Sequence, residues 1–148
     1  MPSENPTVSC QCGAVLFPAS APEPLGIFVC HCLECRKQSA SAFGVTYRFP
    51  AAGMWPIESR EVRNNLSMWE RSTDSGNITE CWFCKICGVR LIHRTKTPDG
   101  QYKETLSIKG GCLEGFGGLE RARHIFTRTA VVDVPEDNDP AEPKVNTR

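Results

Sequence analysis

The sequence has no excess of either charge, because 17 Lys and Arg residues balance 17 Asp and Glu residues. A protein that grips phosphates needs a basic surface, so a nucleic-acid partner is not expected. No apolar run approaches the roughly 18 residues that span a membrane, so no membrane partner is expected. The first residues have neither a basic start nor an apolar core. This argues against a secretory signal and predicts a cytoplasmic protein.

Helical periodicity is scarce, and the pattern predicts a mainly β protein. Short alternating segments between turn-forming residues are typical of strands. The candidate strands are 7–17, 43–49, 63–71, 78–83, 89–95, 102–108 and 124–134. The best helical stretch is 33–42. Pro135–Lys144 has three prolines and no large apolar residue, so residues 135–148 are predicted to form a disordered tail after one domain, 1–134.

Cysteine is abundant: the chain has nine, and seven of them fall into three tight clusters. The clusters are Cys10-x-Cys12, Cys30-x-Cys32-x2-Cys35 and Cys84-x2-Cys87. Without secretion, disulfides are not expected, and clustered thiols indicate metal ligands. The alternative is a disulfide framework in an exported protein, against which the odd cysteine count and the short spacings argue. Two pairs and one triplet suffice for a closed four-thiolate zinc site and a second site with three thiolates.

The closed site is predicted to be structural, with four ligands: Cys10, Cys12, Cys84 and Cys87. Residues two apart on an extended strand share a face, so Cys10 and Cys12 can aim both sulfurs at one ion. The second pair has the spacing of a zinc knuckle, in which Gly88 suits the tight return of the chain. Cys81 also has ligand spacing, but it is interpreted as a small buried apolar side chain.

The triplet Cys30, Cys32 and Cys35 predicts a catalytic zinc site. Three sulfurs from six consecutive residues can bind one ion and leave a fourth position for a reactant. Zinc there can act as a Lewis acid or hold a thiol as its nucleophilic anion. The alternative is a closed structural site, completed by Cys81, Cys112 or a histidine. An iron–sulfur cluster is disfavoured, because the cysteine spacings do not match those usual for such clusters.

Four residues that follow the triplet are candidate substrate contacts: Arg36, Lys37, Ser39 and Phe43. Two cations at the mouth of an open zinc site attract a carboxylate-bearing substrate and offset the net negative charge of zinc on three thiolates. The ring of Phe43 can form a pocket wall. The alternative is that Arg36 and Lys37 are the solvated end of a short helix. Packed or surface roles are expected for the histidines, which are His31, His93 and His124.

Three segments, in order along the chain, carry a family resemblance: Cys10–Ala14, Cys30–Phe43 and Phe83–Gly88. They resemble the family of glutathione-dependent formaldehyde-activating enzymes, whose domain recurs in centromere protein V. That family's pattern opens with Cys-x-Cys-Gly-Ala. It continues with Cys-His-Cys-x2-Cys-Arg-Lys, which runs into Ser, Ala and Phe, and it closes with Phe-Cys-x2-Cys-Gly. One departure is Ala40, where many members carry Gly.

The resemblance implies a β-tent fold, in which small antiparallel sheets are pinned at a structural zinc. It assigns the four paired cysteines to that ion and the triplet to a catalytic ion. The implied activity is that of a carbon–sulfur lyase resembling S-(hydroxymethyl)glutathione synthase, which joins glutathione and formaldehyde. Two alternatives stay open. One is an enzyme of this fold with a different small acidic substrate in specialised metabolism, and the other is a non-catalytic zinc-pinned binding module. The sequence does not indicate the oligomeric state.

Overall fold

In the computed structural model of the chain, residues 4–138 are described. Two α-helices and nine strands follow one another as β1 (Thr7–Ser9), β2 (Leu16–Pro18), β3 (Gly26–Cys30), α1 (Leu33–Ser39), β4 (Gly44–Pro50), α2 (Arg60–Asn64), β5 (Leu66–Ser72), β6 (Ile78–Cys84), β7 (Arg90–Lys96), β8 (Thr105–Lys109) and β9 (Arg123–Ile125). Three short 3-10 turns lie at Gly110–Cys112, Leu119–Arg121 and Thr127–Thr129. The predicted mainly β class is confirmed.

The strands form two sheets. One is the β1–β2 hairpin, and the other has seven strands in the order β5-β6-β7-β8-β4-β3-β9. Neighbouring strands are antiparallel, except that β9 runs parallel to β3. This is the arrangement of antiparallel sheets with little helix that the resemblance implies. Within 4–138, every helix is too short or too polar to cross a membrane.

The apolar core lies between the hairpin and one face of the large sheet. Its fully buried side chains include Val8, Val15, Phe49, Leu91, Ile92, Leu106 and Ile108. Phe49 and Leu106 are directly opposite each other on β4 and β8. Side chains of a strand alternate between the two faces. Thr46 and Lys109, which are also opposite each other, therefore lie on the second face, where the site is built.

The prediction of one strand over 7–17 is wrong, because this segment is a hairpin of β1 and β2. Thr7 is opposite Pro18 in the register. The connecting turn is closed by the N–H of Cys10, which donates to the carbonyl of Val15 at 3.0 Å. Gly13 supplies a left-handed backbone there, with φ of 82°, which few other residues adopt without strain. The predicted period-2 pattern holds only in the first arm: Val8 is buried on β1, whereas on β2 Phe17 is buried and Leu16 is exposed.

Other predicted segments differ at their ends. The segment 63–71 begins with the end of α2, a helix that starts where Ser59 Oγ accepts the N–H of Val62 at 3.2 Å. The segment 124–134 contributes only β9, because the left-handed backbone of Phe126 ends the strand. Neither β3 nor α2 was among the candidate elements. The predicted tail falls outside the described residues from 139 onward, and its disorder stays a prediction.

Candidate functional site

The four paired cysteines come together in space. Their sulfurs lie within 4.8 Å of one another, with Sγ–Sγ distances of 3.6 Å for Cys10–Cys12 and 3.7 Å for Cys12–Cys84. Sulfurs at the corners of a tetrahedron with Zn–S bonds of about 2.3 Å are about 3.8 Å apart. The donor set and the spacing therefore fit a zinc ion. Cys10 and Cys12 reach this arrangement through the hairpin turn and not, as expected, from an extended strand.

The second pair sits in the knuckle between β6 and β7. The N–H of Cys87 donates to Cys84 Sγ at 3.5 Å, and the N–H of Gly88 donates to the carbonyl of Cys84 at 2.8 Å. Gly88 has a φ of 82°, as its position in a tight return predicts. The backbone N–H of Val89 lowers the pKa of Cys87 to about 6. A thiol must be deprotonated to bind metal, so this hydrogen bond favours a metal ligand.

The triplet is built where β3 runs into α1. Cys30 is the last residue of β3, and Cys32 is the N-cap of α1, its Sγ accepting the N–H of Cys35 at 3.3 Å. The sulfurs of Cys30 and Cys32 are 3.4 Å apart, and all three lie within 4.8 Å of one another. Over residues 4–138, no His, Asp, Glu or further Cys side chain joins this group. This disfavours the alternative in which Cys81, Cys112 or a histidine closes the site as a fourth ligand.

The three thiols of the triplet differ in acidity: the pKa of Cys32 is lowered, and those of Cys30 and Cys35 are raised. Hydrogen bonds from Cys30 and then from Cys35 hold the pKa of the Cys32 thiol far below its usual range. The pKa of Cys30 is raised, because its thiol hydrogen-bonds to Cys32 and Cys35 and is buried. Soft thiolates are the ligands that zinc favours, and a divalent ion would replace the protons that the cluster now shares.

His31 lies between two cysteines of the triplet and is fully buried. Its Nε2 is 2.9 Å from Nδ1 of His124, and the two rings stack at 5.1 Å between centroids. The backbone of His31 is held as well: its N–H donates to the carbonyl of Ile125 at 3.0 Å, and its carbonyl accepts the hydroxyl of Thr129 at 2.8 Å. β9 and the turn after it thus fix the backbone that carries the triplet, and His31 is packed, as expected.

The four predicted substrate contacts separate into two places. Ser39 and Phe43 line a cavity of about 530 Å³, whereas Arg36 and Lys37 line a different groove of about 350 Å³ along α1. Ser39 Oγ lies 2.8 Å from the carbonyl oxygen of Cys35 and 2.9 Å from that of Phe43, so its single proton is shared between the two carbonyls. This bridge ties the end of α1 to the start of β4 and sets the position of Phe43.

The larger cavity lies between the two cysteine clusters. Its walls come from the end of α1, the start of β4, the knuckle and the turn after β8. The three triplet cysteines do not line the cavity themselves. Its link to them is Ser39, a lining residue whose hydroxyl lies 2.8 Å from the carbonyl oxygen of Cys35. Two charged side chains line the cavity, Lys109 and Arg90.

A family model for glutathione-dependent formaldehyde-activating enzymes matches residues 5–129. The chain belongs to this family. The match includes both cysteine clusters and every strand of the fold. Among curated proteins, no match was found. Membership of the formaldehyde-activating family relates the chain to glutathione-dependent chemistry and fits a small-molecule substrate.

Sequence reasoning missed two parts of this family member's site. The His31–His124 pair joins residues 93 positions apart, and the cavity cations Lys109 and Arg90 come from β8 and β7. The sequence did contain a signal for Lys109. Leu106 and Ile108 on β8 face the core. Because side chains alternate along a strand, the odd-numbered Lys109 lies on the opposite face.

Proposed function

We propose that the chain is a zinc-dependent carbon–sulfur lyase that works in the bond-forming direction. It joins glutathione, or a related thiol, to a small carbonyl compound, with formaldehyde as the type substrate. The observation that carries the proposal is the three-sulfur group without a fourth protein ligand among residues 4–138, beside a cavity. In the reaction, the thiol sulfur bonds to the carbonyl carbon, and the thiol proton ends on the carbonyl oxygen, so no oxidant or reductant is needed.

Two zinc ions belong to the proposal. The structural ion would be held by Cys10, Cys12, Cys84 and Cys87, and the catalytic ion by Cys30, Cys32 and Cys35. A structural site has four protein ligands, whereas a catalytic site keeps one position for the substrate. When bound to the triplet, zinc supplies Lewis acidity and stabilises a thiolate at neutral pH.

The chain's own side chains bind and orient the reactants in this proposal. Ser39 holds Phe43 at the wall of the cavity through its two backbone hydrogen bonds, and the ring excludes water from one side of the bound substrate. Arg36 and Lys37 would attract an anionic substrate toward α1 from their neighbouring groove.

A cytoplasmic location is part of the same proposal. All nine cysteines are free thiols, including the partly buried Cys112. A reducing compartment keeps thiols available for metal.

The test is a measurement of S-(hydroxymethyl)glutathione formation by NMR, with zinc-loaded protein, glutathione and formaldehyde. We expect a rate above the spontaneous reaction, two zinc ions per chain, and the loss of one ion and of the excess rate in Cys30→Ala. Cys81→Ala is the matched control, because Cys81 is a buried cysteine outside both groups. If the protein binds glutathione but the product forms no faster than in the spontaneous reaction, the non-catalytic module is favoured. One zinc ion per chain would contradict the two-ion assignment.

A further inference from the structure

Lys109 is an unusual lysine, because only 7% of its surface is exposed. Its Nζ donates to Thr46 Oγ1 at 3.2 Å. This is the only hydrogen bond that its ammonium makes to the described residues, although an ammonium has three donors. Among residues 4–138, the ion pairs join Arg71 to Glu34 and Arg94 to Glu80. No carboxylate of these residues pairs with Lys109. A buried cation with unused donors is costly unless another anion compensates it.

The cavity that Lys109 lines is suited to an anion. Arg90 is its second charged side chain, and no Asp or Glu is among the lining residues. Its volume of about 530 Å³ lies in the range of roughly 300 to 1,000 Å³ that is typical of small-molecule sites. Two cations in a partly enclosed space attract a carboxylate more strongly than the same charges on an open surface.

The triplet accounts for part of this charge. Burial lowers the pKa of Lys109, and the nearby sulfurs of Cys35 and Cys30 oppose this effect. Zinc on three thiolates carries one net negative charge, which a single lysine offsets. Arg90 also lines the cavity. Its guanidinium lies 5.7 Å from the centre of the Trp69 ring, which leaves its charge without a carboxylate partner among residues 4–138.

We propose that Lys109 and Arg90 bind a carboxylate of the substrate, so that the substrate is an anionic thiol held in this cavity with its sulfur toward the triplet. This assignment rests on the proposed function, which it deepens by naming the substrate class and the anchoring residues. It gives the main role in anion binding to Lys109 and Arg90, and not to Arg36 and Lys37 in the neighbouring groove.

The test measures binding without chemistry, so that it is separate from turnover. Isothermal titration calorimetry with zinc-loaded full-length protein would use S-methylglutathione, whose sulfur is capped, and the dimethyl ester of the same compound. We expect the acid to bind at least about tenfold more tightly than the ester, the range for one or more charge-assisted hydrogen bonds. Lys109→Met should lose that preference, while Lys103→Met, a change at an exposed lysine outside the cavity, should keep it.

Two further variants guard against a folding defect in Lys109→Met. Arg90→Gln, on the neighbouring strand β7, should reduce the same preference for the acid. Gly111→Val should weaken the binding of the acid and of the ester equally. Gly111 lines the cavity, and a Cβ there meets no atom within 4 Å, so the valine side chain can occupy part of the cavity.

Each outcome bears on one proposal or on the other. Equal affinity of the wild type for acid and ester, or a preference that survives Lys109→Met and disappears in Lys37→Met, would overturn the carboxylate site. A preference that depends on Lys109, without any turnover of glutathione and formaldehyde, would keep the carboxylate site and overturn the lyase.

Discussion

The sulfurs of Cys12 and Cys84 lie 3.7 Å apart although 72 positions separate them in the chain. This contact ties the β1–β2 hairpin to the knuckle of the large sheet, and a metal there would close a long loop. We therefore expect Cys87→Ser to lose one zinc ion and more than about 3 kcal/mol of unfolding free energy. Urea unfolding followed by circular dichroism, together with elemental analysis, measures both effects.

Cys35→Ser is the matched change in the other cluster. We expect it to lose the second zinc and the activity, while the unfolding free energy changes by no more than about 1 kcal/mol. The triplet sulfurs come from six consecutive residues, so metal binding there closes almost no loop. If the two variants lose the same amount of stability, the division into a structural and a catalytic ion is wrong.

Ala40 ends α1 in a left-handed conformation, with φ of 51° and ψ of 40°. Its N–H donates to the carbonyl of Lys37 at 3.1 Å, which closes the last turn. Glycine adopts this backbone without steric cost. We expect Ala40→Gly to raise the unfolding free energy by about 0.5 to 1 kcal/mol in urea titrations. Ala42→Gly, at a residue without positive φ, should give no gain.

Much of the candidate site could be predicted because its ligands are local in sequence. The spacing of Cys30, Cys32 and Cys35 already fixes three sulfurs near one point, whatever the rest of the chain does. The two distant pairs could be joined because a closed thiolate site needs four ligands. The class of the fold followed from strand-like alternation between turn residues, as in 43–49, which is β4 with its ends shifted by one residue.

What could not be predicted depends on register between distant strands. Lys109 enters the cavity because it is opposite Thr46 in the β4–β8 ladder, and the local sequence of β8 does not specify that partner. The contact of His31 with His124 requires β9 to run parallel beside β3. The hairpin within 7–17 was missed because the alternation of even-numbered apolar residues in the sequence continues through the turn at Gly13. In the structure the buried positions change at the turn, from Val8 on β1 to Phe17 on β2.

His93 gives the stability of the protein a dependence on pH. Its Nε2 is buried without a hydrogen-bond partner among residues 4–138. Burial first, and then the positive charges of Lys109, Arg90 and Arg71, hold its pKa well below 6.5. In the unfolded chain this histidine takes up a proton near pH 6.5. The unfolded state therefore binds more protons below that pH, and the native state loses stability as the pH falls.

The variant His93→Gln removes this linkage. Below pH 6.5, the wild type should lose up to about 1.4 kcal/mol per pH unit more than the variant, the slope for one proton. Above pH 7 the two unfolding free energies should run parallel. Urea titrations between pH 5.5 and 8 measure the difference in unfolding free energy between the two proteins. The titration of carboxylates and metal ligands, which both proteins share, cancels in this difference. Parallel curves over the whole range would show that His93 has the same pKa in the folded and the unfolded protein, which would contradict the lowered pKa.

Asn138 lies four residues past the predicted domain end at 134 and is hydrogen-bonded to β9. Its side-chain oxygen accepts the N–H of His124 at 2.8 Å, and its amide donates to the carbonyl of the same residue at 2.9 Å. β9 has only β3 as a neighbour in the sheet, so these two bonds satisfy backbone groups on its outer side.

A chain shortened to end at Val134 should therefore lose about 1 to 2 kcal/mol of unfolding free energy, since each bond contributes about 1 kcal/mol. A chain that ends at Asn138 is the matched control and should retain the stability of the full protein. Asn138→Ala in the full chain should reproduce the loss, and the amide of His124 should exchange faster in hydrogen-exchange NMR. Because β9 also holds the backbone of His31, the same two changes should weaken zinc binding at the triplet. Equal stability of both shortened chains would contradict this role of Asn138 and support 134 as the end of the domain.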